Sequence, residues 1–199
     1  MSESSNGRES KTRSRSNGAS LIVREMTLQD LHAVFELGER LFTAERWPNL
    51  YRTWDEYELA VHFSSDSETC LVAEMDERVV GFALGTLLEK RHSAWSYGYL
   101  LWLGVDPDAA RRGIASRLVA RMTELFIEFG ARMILVDTDA ENDAALGFFR
   151  TQGFGQETPH VFLTKNLTND PQYKRRRKAS RSARYSPKPG PARVERELG

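Results

Sequence analysis

The sequence predicts an α/β domain in which helices cover both faces of a mixed sheet. Three observations lead to this fold class. First, two apolar runs within 69–88 are separated by the short connection that is typical of a hairpin. Second, strands alternate with helices only in the second half of the chain. Third, residues 111–129 have the apolar pattern of a long amphipathic helix. The predicted order of elements is β-α-α-β-β-β-α-β-α-β.

A strand and two helices come first. The apolar residues 21–23 predict a short strand, and Thr27 is a plausible N-cap for a helix over 28–43, where apolar residues recur at helical spacing. Pro48 interrupts this pattern, and a second helix is predicted over 54–63.

Three strands follow. The runs 69–75 and 78–88 are joined by only two residues, which predicts a hairpin. The third run, 96–105, is rich in tyrosine, leucine and tryptophan, and Pro107 stops it because proline cannot donate to a sheet ladder.

The second half alternates helices with strands. The amphipathic helix predicted over 111–129 ends at Gly130, and an apolar strand of the buried type is predicted over 132–137. A helix over 142–151 and a last short strand over 161–164 complete the domain.

The formal net charge of zero conceals a strong separation of charge along the chain. Residues 20–164 carry 13 basic and 23 acidic groups, whereas residues 165–199 carry 11 basic and 3 acidic groups. Residues 1–19, and those from about 169 onward, contain too few apolar groups to offset the entropy of ordering, so both tails are predicted to be disordered.

Several classes of protein are not expected. The chain has no run of 18 apolar residues and no apolar signal region, so we expect a cytoplasmic protein rather than a membrane or exported one. The single cysteine, Cys70, excludes an intrachain disulfide. The four histidines show no ligand spacing, so no metal site is predicted.

The segment 105–115 favours an anion. A strand ends at Pro107, and Arg111-Arg112-Gly113 opens the long predicted helix. A helix start leaves about four amides unpaired and carries about +0.5 charge, which suits phosphate oxygens. The alternative is a plain strand-loop-helix with a solvated basic first turn.

The residues around this segment resemble the GNAT superfamily of N-acetyltransferases. The resemblance rests on Leu103-Gly104-Val105-Asp106-Pro107, Arg111-Arg112-Gly113-Ile114-Ala115, Asn142-Asp143-Ala144-Ala145, and the run from Phe149 to Gly153-Phe154. The family motif is usually written Q/R-x-x-G-x-G/A. Ala110 stands at its first position, where Gln or Arg is usual, with two arginines following immediately, so the departure is expected to weaken one side-chain contact of the family and not the backbone cradle.

The resemblance covers about 21–167. It implies an N-acetyltransferase domain over 20–168, with a GNAT-like, mostly antiparallel sheet, between disordered tails 1–19 and 169–199. It also implies acetyl-CoA as co-substrate. The residues implied to bind it are Leu103, Gly104, Val105, Arg111, Arg112, Gly113, Ile114, Ala115, Ser116 and Asn142. Asn142 could also be a helix N-cap, because asparagine is favoured there, and both roles can hold together.

The groups that would move protons are less clear from the sequence. Many family members use a tyrosine as acid where this chain has Phe149, which cannot donate a proton. Tyr97 and Tyr99 are candidate acids on one face of a strand. Glu89 and Asp137 are candidate bases near strand ends. We expect direct attack of the amine in a ternary complex, without a covalent enzyme intermediate.

The acceptor is not specified by the sequence. The acidic domain favours a cationic amine such as a protein N-terminus, a lysine or a polyamine. Trp47, Tyr51 and Trp54 could frame that amine by cation–π contact, or could form a hydrophobic lid over the core.

Two alternative functions remain open at this stage. The chain could bind acetyl-CoA without catalysis, or the basic C-terminal tail could tether it to nucleic acid or the ribosome. That tail could instead fold back on the acidic domain.

Overall fold

The structure is a computed structural model that describes residues 20–43, 45, 53–89, 95–158, 161, 163 and 165–184. The chain divides after Gln156 into two units. Among the described residues, the first unit contains five strands and four α-helices, and the second contains one α-helix. Within the described ranges, no helix combines the length and apolar character needed to cross a membrane.

The strands are β1 (Leu21–Glu25), β2 (Cys70–Met75), β3 (Arg78–Glu89), β4 (Ser96–Val105) and β5 (Met133–Val136). The α-helices are α1 (Leu31–Leu41), α2 (Glu56–Ser65), α3 (Ile114–Glu128), α4 (Asp143–Thr151) and α5 (Pro171–Arg184). Short 3-10 helices at Leu28–Asp30, Ser67–Thr69 and Pro107–Ala109 lead into α1, β2 and the loop before α3.

The five strands form one sheet in the order β1-β2-β3-β4-β5. The first three pairs are antiparallel and β4 pairs with β5 in parallel, so the predicted mixed, mostly antiparallel sheet is confirmed. A tight turn at Asp76 and Glu77 joins β2 to β3. Both residues have positive φ, which suits the right-handed twist of a hairpin.

Each face of the sheet is covered by helices, as predicted. The α3-side cluster contains buried residues of both the sheet and α3: Leu71, Ala73, Ala83, Leu118, Met122 and Phe126. The α1/α2-side cluster holds the alternate residues of the same strands: Val34, Leu37, Trp54, Val72, Phe82 and Leu84. The alternation follows from the two-residue period of a strand.

An ion network fastens β1 and β2 to the start of α1. The Arg24 guanidinium lies 2.7 Å from Asp30 Oδ2, 2.8 Å from Asp30 Oδ1 and 2.7 Å from Glu74 Oε2. Asp30 is buried, and the hydrogen bonds from Arg24 lower its pKa to about 2. Such a bidentate pair adds geometric specificity to the junction.

Two predictions for the second unit differ from the structure. Val161 and Leu163 are exposed and lie in no strand, while 162 and 164 fall outside the described residues. The prediction of a strand over 161–164 is therefore wrong at the two described positions. Alternating apolar residues form a strand only where another strand pairs with their backbone.

The prediction of disorder from 169 onward is wrong for Pro171–Arg184, which forms α5. Asp170 Oδ1 accepts the Gln172 amide at 2.7 Å, Pro171 suits a first helical position, and arginine, lysine and glutamine have high helix propensity. Residues 1–19 and 185–199 lie outside the described part of the chain.

Candidate active site

β4 and β5 separate to form a fork. They pair from Tyr97 with Met133 to Leu100 with Val136, where β5 ends, whereas β4 continues to Val105. Among the described residues, no strand pairs with the β5-facing edge of residues 101–105. The fork therefore leaves an open strand edge on β4, beside the end of β5, the last strand of the sheet.

The β4 residues that face the fork can be identified from the ladder with β3. The Asp106 amide donates to Val80 O at 2.9 Å. Counting back from Asp106 in steps of two, Gly104 and Trp102 also direct their backbone groups to β3. Leu103 and Val105 alternate with these residues and direct their N–H and C=O groups to the fork. Gly104 directs its groups to β3.

A β-bulge marks the point where the fork opens. Leu84 pairs with Trp102 and Gly85 with Leu100, which leaves Leu101 as the extra residue of β4. As a result Leu100 belongs to the α3-side cluster and Trp102 to the α1/α2-side cluster. Bulges re-aim side chains and are frequent beside active sites.

The loop after β4 presents backbone amides at the same end of the strand. Asp106 Oδ1 accepts the Asp108 amide at 3.0 Å and fixes the turn at Pro107–Ala109. Arg111 and Gly113 then adopt left-handed conformations with φ of 61° and 75°. An added Cβ at Gly113 would meet no atom within 4 Å, so space is open beside this backbone.

The predicted start of the long helix is wrong by three residues. α3 begins at Ile114 with Gly113 as its N-cap, because the left-handed residues of the loop cannot belong to an α-helix. Its first intrahelical bond runs from the Arg117 amide to Gly113 O, at 3.1 Å. The amides of 114–116 therefore have no partner within the helix, whereas Arg111 and Arg112 belong to the loop.

The side chains of this region differ in what they can offer. Arg111 and Arg112 are exposed and add positive charge to the helix start, although Arg112 Nη1 lies 3.2 Å from Met75 Sδ. Ile114 is buried in the core, so it can offer only its amide. Ala115 and Ser116 are partly buried and small.

Asn142 acts as the N-cap of α4. Its Oδ1 accepts the Ala145 amide at 3.1 Å and its Nδ2 donates to Thr138 Oγ1 at 3.1 Å. The capping interpretation of Asn142 is therefore confirmed, and its contact with a ligand stays a prediction.

Tyr99 and Asp137, predicted as separate candidates, meet at the fork. Asp137 follows the last residue of β5, and Tyr99 lies one residue before the last paired position of β4. The Tyr99 hydroxyl donates a short hydrogen bond to Asp137 Oδ1. A phenol and a carboxylate in contact can pass a proton between them.

Two other candidates lie away from the fork. Tyr97 shares a face with Tyr99 but is two residues further from the fork, about 7 Å along the strand. Glu89 pairs with Ser96, four residues before Leu100 on β4, which is about 13 Å from the fork. The structure does not bring Glu89 to the other candidates.

Two carboxylates on the α2 side were missed by the sequence analysis. Glu58 Oε1 accepts Trp102 Nε1 at 3.2 Å, and Asp66 Oδ1 accepts Thr86 Oγ1 at 3.0 Å. Thr86 is the cross-strand partner of Tyr99, so these acids lie on the same face of the sheet as the tyrosine.

Trp54 was a candidate for framing the acceptor, and the structure buries it. Its Nε1 donates to Phe35 O at 3.1 Å, and its ring packs against Phe82 and Trp102 with centroids 5.1 Å apart in both pairs. Only 8% of Trp54 is exposed, so the ring packs in the core and the lid interpretation fits it. Trp47 and Tyr51 lie outside the described residues.

Two further residues have structural explanations. Phe149 is buried and its ring lies 5.2 Å from those of Phe148 and Phe154, consistent with a packing role. Cys70 is fully buried, and burial raises the pKa of its thiol to about 12. A thiol in that state is not a nucleophile at neutral pH.

Comparison with known proteins gives a consistent result. The family model described as acetyltransferase (GNAT) family matches residues 39–154. Acetyltransferase ECA0875 of Pectobacterium atrosepticum is 29% identical over 153 residues, which is 76% of this chain and 99% of that protein.

Solved structures of aminoglycoside acetyltransferases share the fold. AAC(6')-Iy, in complex with CoA, has 21% identity and a TM-score of 0.62 over 76% of this chain and 99% of that one. The enzyme meta-AAC0020 from an uncultured soil metagenomic sample, in complex with sisomicin, has 22% identity and a TM-score of 0.59 over 73% and 97% of the two chains.

Proposed function

The chain belongs to the GNAT family of acetyltransferases, with acetyl-CoA as its acetyl donor, and we propose that it acetylates a small cationic primary amine at the β4–β5 fork. The observation that carries this proposal is the contact between Tyr99 and Asp137 where the open edge of β4 begins. It puts a proton-transfer pair beside a surface suited to the donor.

The fork and the loop after β4 fit the two polar parts of the donor. Leu103 and Val105 direct amide and carbonyl groups to the open edge, where the amide-bearing pantetheine arm would add like a strand. The amides of 114–116, with the charges of Arg111 and Arg112, suit a pyrophosphate. When bound, acetyl-CoA supplies an activated acyl group and a thiolate leaving group.

Asp137 is proposed as the base and Tyr99 as the group that returns the proton. An amine with a pKa near 10 must lose a proton before it can attack a thioester. That first proton is released to solvent. Asp137 accepts, directly or through water, the second proton that the nitrogen loses as the amide forms, and the Tyr99 hydroxyl gives its own proton to the departing thiolate. The hydrogen bond between the two side chains then lets Asp137 reprotonate Tyr99, which restores the starting state.

Direct attack in a ternary complex is proposed, without an acyl-enzyme. The lone cysteine is fully buried, and the high pKa of its thiol keeps it protonated. We therefore expect Cys70→Ala to retain turnover wherever the protein remains folded.

The acceptor side is acidic, which supports a cationic amine. Three carboxylates lie on the α1/α2-side face of the sheet, the face that carries Tyr99: those of Asp137, Glu58 and Asp66. Residues 20–164 also carry 23 acidic groups and 13 basic groups, an excess of ten acidic groups. Two of the structurally similar proteins act on aminoglycosides, which supports a small amine over a protein N-terminus or lysine.

The proposal is tested by thiol release from acetyl-CoA over a panel of amines. The panel contains an aminoglycoside, a polyamine, a lysine peptide and a free N-terminal peptide. We expect release with a small polyamine or aminoglycoside. Release with peptides alone would overturn the acceptor assignment, and protection by CoA against heating without release on any amine would favour a binding protein.

Matched variants test the proton-transfer pair. Asp137→Asn is expected to lower kcat on the order of a hundredfold or more while leaving the KM for acetyl-CoA nearly unchanged, because it removes the base and keeps the side-chain shape. Tyr99→Phe should lower kcat about tenfold or more. Tyr97→Phe and Glu89→Gln serve as controls, and an equal loss in these two would contradict the assignment.

A further inference from the structure

Helix α5 carries a concentration of positive charge that acetyl transfer does not use. The sequence of Pro171–Arg184 contains seven basic residues and no acidic residue. Five of the basic residues are consecutive, at 174–178, and all five are exposed. The helix lies in the second unit of the chain, separate from the unit that contains the fork.

The charge of α5 surrounds the helix. Successive residues of an α-helix are rotated by about 100°, so five consecutive basic residues point to every side. Lys174 and Lys178 are four residues apart, and Arg175 and Lys178 are three apart, so like charges are neighbours on the surface. Such pairs destabilise an isolated helix, and a polyanion around the helix would relieve them.

This arrangement excludes several partners. A helix that lies on a membrane needs an apolar face, and Tyr173 is the one large apolar residue of α5, at its first turn. A flat acidic protein surface would contact one side of the helix and leave the remaining charges unpaired. Recognition of single strands uses aromatic stacking platforms, which α5 lacks.

We propose that α5 binds in the major groove of double-stranded DNA and contacts phosphates on both walls without reading the sequence. The major groove of B-form DNA is about 12 Å wide and an α-helix with its side chains is about 10–12 Å across, so the helix fits between the two phosphate walls. The major groove of A-form RNA is too narrow and deep for this fit. The proposal is independent of the acetyl-transfer site and would tether the enzyme to DNA.

The test measures binding of the full chain to a 20-base-pair DNA duplex as salt increases. If all seven basic residues contact phosphates, the slope of log K against log salt is about −6, which is a loss of several thousandfold between 50 and 200 mM salt. Replacing 174–178 with glutamine keeps helix propensity and leaves two basic residues in α5, Arg181 and Arg184. The slope should then fall to about −2, with acetyl transfer unchanged.

A charge-neutral variant separates the helix from its charge. Ala179→Pro keeps all seven basic residues and breaks the helix, because proline clashes with the preceding turn. We expect it to weaken DNA binding at least tenfold and to leave heparin binding unchanged. Equal binding of DNA by Ala179→Pro and the parent chain would overturn the groove geometry. Tighter binding to duplex RNA or to anionic phosphatidylserine vesicles than to DNA would also overturn the proposal.

Discussion

Replacing Gly38 with alanine tests the packing of α1 against Trp54. Alanine inside a helix normally stabilises a protein by about 0.5–1 kcal/mol relative to glycine. At Gly38, however, an added Cβ would lie 2.0 Å from Trp54 Cε2 and 2.4 Å from Trp54 Nε1. These distances are far below van der Waals contact, so the indole or the helix must move.

The indole has little freedom to move. It is 8% exposed, its Nε1 donates to Phe35 O, and its ring lies 5.6 Å from Phe42. Overpacking costs about 1–3 kcal/mol, and loss of the Trp54 hydrogen bond adds about 0.5–1.5 kcal/mol. These costs exceed the gain in helix propensity, so Gly38→Ala should destabilise the protein by about 1–3 kcal/mol.

Gly147→Ala is the matched control. Gly147 also lies inside a helix, but a Cβ there would meet no atom within 4 Å, so this change should stabilise by about 0.5–1 kcal/mol. Urea unfolding followed by circular dichroism measures both variants against the parent. If Gly38→Ala proved as stable as the parent while Gly147→Ala showed its gain, the close contact with Trp54 would be refuted.

Three further changes have defined outcomes. Arg24 lowers the Asp30 pKa from 3.8 to about 2, so Asp30 contributes about 2 kcal/mol of stability above pH 4. This contribution is lost as the pH falls through 2. The free energies of unfolding of the parent and of Asp30→Asn, measured in urea, should therefore converge near pH 2. Glu77→Gly relieves a positive φ of 60° in the hairpin turn and should raise the free energy of unfolding by about 1 kcal/mol, measured in the same assay; no gain would argue against that conformation. Gly113→Ala strains the loop before α3 and should weaken CoA binding, as measured by calorimetry. Gly130→Ala, with a similar φ of 78°, should leave CoA binding unchanged. Equal losses of CoA affinity in the two variants would show that the loop is not part of the donor site.

Local sequence patterns were sufficient for β4 and its neighbours. The strand predicted over 96–105 has the same bounds in the structure, because an apolar run ended by Asp106-Pro107 leaves no other reasonable boundary. The hairpin before it is also confirmed, since two residues between apolar runs allow only a tight turn. These elements are set by neighbours in sequence.

Features that depend on distant residues were beyond those patterns. The contact of Tyr99 with Asp137 exists because β4 and β5 pair in parallel with Tyr99 opposite Leu135, a register that no local spacing encodes. The burial of Trp54 depends on the absence of a side chain at Gly38, sixteen residues away. The helix at 171–184 is not predicted by these patterns for another reason: its high charge and low hydropathy are typical of disorder, although its arginine, lysine and glutamine residues favour a helix.

Two departures from regular structure lie in the second half of β4 and in the loop after it, and together they support the proposed donor site. Positive φ at Glu77 is explained by its hairpin turn, and positive φ at Gly130 by the end of α3. Arg111, a non-glycine residue at φ 61°, lies in the turn before α3 and follows the bulge at Leu101 by ten residues. Strain that the surrounding fold maintains without a structural need is found mainly at functional sites. The bulge lies where β4 continues past the end of β5, and the loop presents amides at the same end of β4. The two irregularities therefore support the proposal that one extended, phosphate-bearing substrate binds there.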